Sequence, residues 1–114
     1  MILNRSKGVE IAKQERYAES LWTRFRGLIG RNFDSFDAMV FRRCSAVHTF
    51  FMGRKIDILF LDPDGIALGC YSSVPPWKCC IMERGAAVTI ELPAGTLAGT
   101  ETEPGDFIIL ENVS

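Results

Sequence analysis

One pattern near the middle of the chain limits its fold most strongly: an apolar run, a turn sequence and a second run that can pair with the first. Ile56–Leu61 is apolar except for Asp57, and it stops at Asp62-Pro63-Asp64-Gly65. Proline and glycine at these places favour a tight turn, so Ile66–Tyr71 is predicted to return beside the first run. The pattern indicates a β-hairpin.

Other short segments are also rich in apolar or β-prone residues, and they predict further strands. They are Met1–Leu3, Val9–Ala12, Ala38–Phe41, Val47–Met52, Ala86–Leu92 and Phe107–Leu110. Only the stretch between Ser20 and Gly30 has apolar residues at helical spacing, with a capping residue at each end. The sequence therefore predicts a mainly β fold with one α-helix near the N-terminus, arranged as a small antiparallel β-sandwich or barrel.

Length and charge restrict the organisation and the partners. The 114 residues are expected to form a single domain over 1–114. The 13 basic and 14 acidic residues nearly cancel, which argues against nucleic acid as a partner. No stretch approaches the ~20 apolar residues of a membrane span, and no export signal follows Met1, so we expect a cytoplasmic protein with reduced cysteines.

Five motifs, in order, resemble those of a known family. They are WTRFRGLIGR at residues 22–31, HTFFM at 48–52, IDILFLDPDG at 56–65, PWK at 76–78 with IELPAGT at 90–96, and GD at 105–106. The chain resembles domain-of-unknown-function family 192, also called uncharacterised protein family 0127, over roughly residues 9–110. The resemblance implies a compact β domain with an early helix. It also implies relatives that are often exported, some of them encoded beside pilus or secretion genes, and it brings no agreed reaction.

The sequence contains no recognised catalytic or cofactor-binding constellation. The only histidine, His48, lies four residues after Cys44 in an extended segment, so the two side chains are not expected to meet. The cysteines lack zinc-ligand spacing, since Cys79 and Cys80 are adjacent. We therefore expect no metal and no cofactor. If the protein were exported, Cys70 with Cys79 or Cys80 would be the disulfide to test.

Charged residues inside the apolar motifs are the candidate site. Asp57 lies within a predicted strand, where a lone buried carboxylate is costly. Arg24 and Arg31 are two helical turns apart and face the same side, so one of them is expected to reach Asp57 or Glu91. Two readings stay open: a structural ion pair that ties helix to sheet, or a polar cluster at a pocket that binds an anionic or hydroxylated ligand. Phe51 and Trp77 would supply apolar surface at that pocket, with Trp77 either exposed for stacking or buried as a lid.

Two functions follow from this set. The favoured one is a non-enzymatic binding or assembly module for an unknown small ligand or protein partner, with a pilus or secretion machine as one setting. The alternative is an enzyme for a small polar or anionic substrate, with Asp57 or Glu91 as general base.

Overall fold

The computed structural model describes residues 1–18, 36–43, 45–47, 54–76 and 81–111. Most of these residues lie in short strands, which confirms the mainly β prediction. The strands are β1 (Ile2–Asn4), β2 (Val9–Ala12), β3 (Glu15–Ala18), β4 (Ala38–Arg42), β5 (Ala46–Val47), β6 (Ile56–Leu61), β7 (Ala67–Val74), β8 (Ile81–Met82), β9 (Val88–Pro93) and β10 (Ile108–Leu110). One short helix, α1 (Thr96–Gly99), follows β9.

The strands form three sheets. The largest has five strands in the order β3-β4-β9-β6-β7, a second has the order β10-β1-β2, and β5 pairs with β8. All pairs are antiparallel except β3 with β4, which run parallel with Glu15 opposite Ala38. The expectation of a purely antiparallel fold was therefore wrong at this edge. A parallel pair needs a long crossover connection, whereas the sequence argument considered hairpins.

The five-stranded sheet is covered on both faces. Its first face, which includes Leu59, Ile90 and Leu92, shares one apolar cluster with Ile2, Ile11 and Ile108 of the three-stranded sheet. The second face carries a separate cluster of Phe36, Met39, Phe41, Ile56, Ile58 and Phe60. The interior strand β6 is consequently buried at every position, as expected for a strand with apolar side chains packed on both faces.

The predicted central hairpin is confirmed as β6 and β7. Asp62 shapes its turn, because Oδ1 accepts the N–H of Asp64 at 2.8 Å and the N–H of Ile66 at 2.9 Å. Gly65 supplies the left-handed backbone that the turn requires, with a φ of 88°. The strands predicted at Met1–Leu3 and Val9–Ala12 are confirmed as well, and they pair with each other as β1 and β2 in an antiparallel hairpin.

The predictions of an early helix and, as one alternative, of a barrel have different outcomes from the hairpins. The helix predicted between Ser20 and Gly30 lies outside the described residues, and the helix that the structure does show comes late, at α1. None of the three sheets formed by the described strands closes into a barrel. In the parts of the chain listed above, no helix has both the length and the apolar content that crossing a membrane requires.

Candidate functional site

Asp57 is a buried carboxylate that holds together three parts of the fold. It is the second residue of β6, and 0% of its surface is exposed. Its Oδ1 accepts the N–H of Ser73 in β7 at 2.8 Å. Its Oδ2 accepts the N–H of Gly95 at 3.1 Å and that of Leu97 at 2.8 Å. These charge-assisted bonds offset the cost of burying the carboxylate.

Asp57 accepts N–H groups that have no acceptor in the regular hydrogen bonding of β7 and α1. Ser72 and Ser73 together lie opposite Asp57, which makes a β-bulge, and Ser73 takes a left-handed φ of 52°. The residue that caps α1 is Gly95, which has no side chain to offer the helix. Asp57 therefore replaces a ladder bond in β7 and caps α1 from a distant strand.

A second buried network lies on the other side of α1. Asn4 is fully buried and donates from Nδ2 to Thr102 Oγ1 at 3.1 Å and to Asp106 Oδ2 at 2.8 Å. Lys7 Nζ contacts both Asp106 oxygens at 3.2 Å and Glu103 Oε1 at 3.1 Å. The hydrogen bond from Asn4, followed by those from the Glu103 N–H and Lys7, lowers the pKa of Asp106. This network fixes the loop after α1 against β1.

Between these two networks lies a cavity of about 430 Å³, the polar cleft. It is lined by Lys7, Ser72, Leu97, Ala98, Glu101, Thr102 and Glu103. Hydrogen bonds to Glu103 and then Asp106 raise the pKa of Lys7, so its ammonium is retained and already shared between two carboxylates. Because Glu101 adds a third carboxylate, the cleft carries a surplus of negative charge.

An apolar groove of about 470 Å³ lies along β7. It is lined by Cys70, Tyr71, Ser72, Ser73, Val74, Pro75 and Ile81, and so shares Ser72 with the polar cleft. The Tyr71 ring meets Phe60 edge-on with 5.7 Å between centroids, and its hydroxyl donates to Glu83 Oε1 at 3.3 Å. Cys70 is a free thiol, and burial raises its pKa to about 11. A thiol with this pKa is a poor nucleophile at neutral pH.

Glu91 lies on the opposite face of the sheet from Asp57. Asp57 is paired with Leu92 in the register of β6 and β9, so the preceding residue of β9 points the other way. Glu91 is flanked instead by Met39 and Ile58 of the second cluster, with 4% of its surface exposed. Burial in this apolar setting raises the pKa of Glu91 to about 8.

The structure thus separates the two carboxylates that the sequence argument placed in one cluster. Their predicted partners Arg24 and Arg31, and the predicted apolar residues Phe51 and Trp77, lie outside the described residues. The polar cleft was missed by sequence reasoning, because its walls come from three distant parts of the chain: Lys7, Ser72 and Leu97–Glu103. A usable signal existed in Glu101-Thr102-Glu103, where charged and hydroxyl side chains directly precede the turn at Pro104-Gly105.

In the described parts of the chain, no three histidine, cysteine or acidic side chains are arranged so that they could hold a metal ion.

Comparison with known proteins gives a consistent family and fold. The DUF192 family, described as Uncharacterized ACR, COG1430, matches residues 2–110. The UPF0127 protein of Pyrococcus horikoshii is 32% identical over 95% of this chain and 96% of its own length. The UPF0127 protein of Thermococcus sibiricus is 31% identical over 95% of this chain and 73% of its own length.

Two solved structures share the fold. A protein of unknown function from Novosphingobium aromaticivorans superposes with a TM-score of 0.75 at 18% identity, over 84% of this chain and 74% of its own. A candidate transcription regulator from Sinorhizobium meliloti superposes with a TM-score of 0.74 at 24% identity, over 83% of this chain and 79% of its own. The family match spans nearly the whole chain, and the protein therefore belongs to the DUF192 family.

Proposed function

We propose that this protein is a non-enzymatic binding module and that the polar cleft is its binding surface. The observation that carries the proposal is the buried Asp57 carboxylate. It holds the Leu97 wall and the bulge beside the Ser72 wall through one side chain. A fixed cleft of this kind lowers the ordering cost of binding, because its walls need not rearrange.

The charges of the cleft favour a ligand with a basic group. Lys7 is already paired with Asp106 and Glu103, while Glu101 is exposed at the rim. Ser72 and Thr102 add hydroxyl groups that donate or accept hydrogen bonds. We therefore expect cationic or hydroxylated compounds to bind more tightly than anions of the same size.

A blocking variant tests the cleft directly. Ala98 lines the cleft and is exposed, so Ala98→Arg fills it without disturbing the core. Ala94→Arg introduces the same side chain at an exposed position outside the cleft and is the matched control. In a thermal-shift screen of small amines, amino acids and sugars, compounds that stabilise the wild type should also stabilise Ala94→Arg and fail with Ala98→Arg. Equal stabilisation of both variants would contradict the assignment.

Asp57 enters this proposal as a positioning residue, since backbone N–H groups already occupy both of its oxygens. A ligand-binding role for Arg24, Arg31, Phe51 and Trp77 remains a proposal, and it would involve Glu91 on the second face of the sheet. Loss of binding of a screened compound on Arg31→Ala, at unchanged melting temperature, would support that second site.

An assembly role is the protein-partner form of the same proposal. The family resemblance brings pilus and secretion systems in as the setting for it. Co-purification of tagged protein with components of such a machine, and its loss on Ala98→Arg, would support this form.

An enzyme with Glu91 as general base is the second candidate. The observation in its favour is that burial raises the pKa of Glu91 to about 8, which brings its titration near neutral pH. Turnover of any small polar substrate that vanishes in Glu91→Gln, while folding is retained, would establish this candidate.

A further inference from the structure

Strand β7 is an edge of the five-stranded sheet and offers main-chain groups for pairing. Among the described strands, β7 pairs with β6 alone, on one side. On its outer side, Ala67 is bonded to the Asp106 carbonyl at 2.9 Å and to the Gly105 N–H at 2.8 Å. From Leu68 to Val74, no other described residue makes a main-chain hydrogen bond to that outer side. An unpaired edge of this kind is a template for an added strand.

Two cavities adjoin this edge: the polar cleft lies on the first face of the sheet, and the apolar groove lies mainly on the second face but includes Cys70, which packs against the first cluster. The polar cleft contains Leu97, which belongs to the cluster on the first face. The apolar groove contains Val74 and Ile81, which pack against the cluster on the second face. Both cavities include Ser72, so they adjoin the same short stretch of β7.

A strand that joins an edge directs alternate side chains to the two faces of the sheet. Every second side chain of such a strand would therefore reach the polar cleft, and the others would reach the apolar groove. The surplus carboxylates of the cleft, Glu101 above all, select a basic side chain. The aromatic and aliphatic lining of the groove, with Tyr71 36% exposed, selects an aliphatic one.

We propose that β7 binds an extended peptide segment of a partner protein, which joins the sheet as a sixth strand and alternates basic with aliphatic side chains. This inference rests on the proposed function of the polar cleft and names its partner. Bulges at Leu68 and at Ser72 and Ser73 limit regular pairing to Gly69–Tyr71. The core of the recognised segment is consequently short, about three residues or ~10 Å of extended chain, with one flanking residue on each side.

The probe is the blocked pentapeptide acetyl-KVKVK-amide, added to ¹⁵N-labelled full-length protein. Three control peptides separate the contributions. VKKKV has the same composition without the alternation, and EVEVE reverses the charge. KVKVK N-methylated at all five residues keeps the side chains but lacks the N–H donor of every residue. The measurements are the dissociation constant and the hydrogen-exchange rates of the amides from Leu68 to Ser72.

Strand addition predicts that KVKVK slows exchange within Leu68–Ser72. N-methylation should weaken its binding about tenfold or more, because each main-chain bond contributes roughly a factor of five to ten. VKKKV and EVEVE should bind more weakly than KVKVK. Glu101→Lys should weaken binding of KVKVK about three- to tenfold, whereas Glu10→Lys, the same charge change at an exposed position outside both cavities, should not.

Four results would overturn the inference. They are no binding of KVKVK at millimolar concentration, equal binding of the N-methylated peptide, slowed exchange confined to other strands, and sedimentation of the free protein as a dimer with β7 amides already protected. In each case, the polar cleft would still be a binding surface if compounds in the thermal-shift screen stabilise the wild type but do not stabilise Ala98→Arg. Loss of both kinds of binding would refute the proposed function as well.

Discussion

Replacement of Asp57 by asparagine tests whether one buried carboxylate holds the cleft together. Asparagine has the same shape but only one accepting oxygen. If that oxygen faces Gly95 and Leu97, the side-chain amide must face the N–H of Ser73, where two donors then oppose each other. The bond to Ser73 is lost, and the other two become bonds to a neutral group.

The expected loss of stability follows from the strengths of these bonds. A hydrogen bond to a charged group contributes about 1.5–3 kcal/mol, and a neutral one about 0.5–1.5 kcal/mol. One bond is lost and two are weakened, while the amide costs less to bury than the carboxylate. We expect Asp57→Asn to lower the free energy of unfolding by about 3 kcal/mol, which is a fall of ~10 °C in melting temperature for a domain of this size.

Urea unfolding followed by circular dichroism measures this change, with Asp64→Asn as the control. Asp64→Asn removes the same charge from an exposed turn position. We expect it to change the free energy of unfolding by no more than about 0.5 kcal/mol. In the Asp57→Asn variant, the free energy of unfolding should depend on urea concentration with the same slope as in the wild type. Amide hydrogen exchange should accelerate first at Ser73 and Leu97. A loss below about 1 kcal/mol for Asp57→Asn would refute the argument that this carboxylate organises the fold.

Three further predictions concern other buried groups. Burial raises the pKa of Glu91 from 4.5 to about 8, so the folded chain keeps a proton that the unfolded chain has released. Stability should therefore fall with rising pH between these values, by about 1.4 kcal/mol per pH unit, and level off above them. Glu91→Gln should remove that slope in a series of urea titrations. Because burial raises the pKa of Cys70 to about 11, its alkylation by iodoacetamide at pH 7.5 should be at least about tenfold slower than that of a free cysteine. Mass spectrometry of the peptide that contains Cys70 measures this rate, and a rate equal to that of free cysteine would contradict it. Asn4→Ala should cost about 2–4 kcal/mol, because Thr102 and Asp106 lose a buried donor; a cost below 1 kcal/mol would show that water replaces the amide.

Features encoded within a few residues could be predicted from the sequence. The β6–β7 hairpin is one, because the Asp62 side chain bonds to N–H groups only two and four residues further along. Its neighbouring strands were equally visible as short apolar runs. In contrast, α1 has only four residues, too few to show helical periodicity, and its capping carboxylate lies 40 residues earlier than Leu97.

The arrangement of the site depended on register, which the sequence does not reveal. Asp57 faces the same side as Leu92, and a shift of one residue between β6 and β9 would have brought it onto the side of Glu91. The polar cleft posed the same difficulty, because Lys7, Ser72 and Glu103 are far apart in the chain, and the buried bonds of Asn4 and Asp57 that hold the walls of the cleft are long-range as well.

The central claim is that the polar cleft is where this protein binds its partners. The most direct measurement is a map of amide chemical-shift changes in ¹⁵N-labelled protein, collected with the amines and sugars that stabilise it in the thermal-shift screen. If the polar cleft is the binding surface, the largest changes fall at Ser72 and across Leu97–Glu103. Changes centred on Glu91 and its neighbours in β4 and β6, with the cleft amides unmoved, would contradict it and place the binding surface on the other face of the sheet.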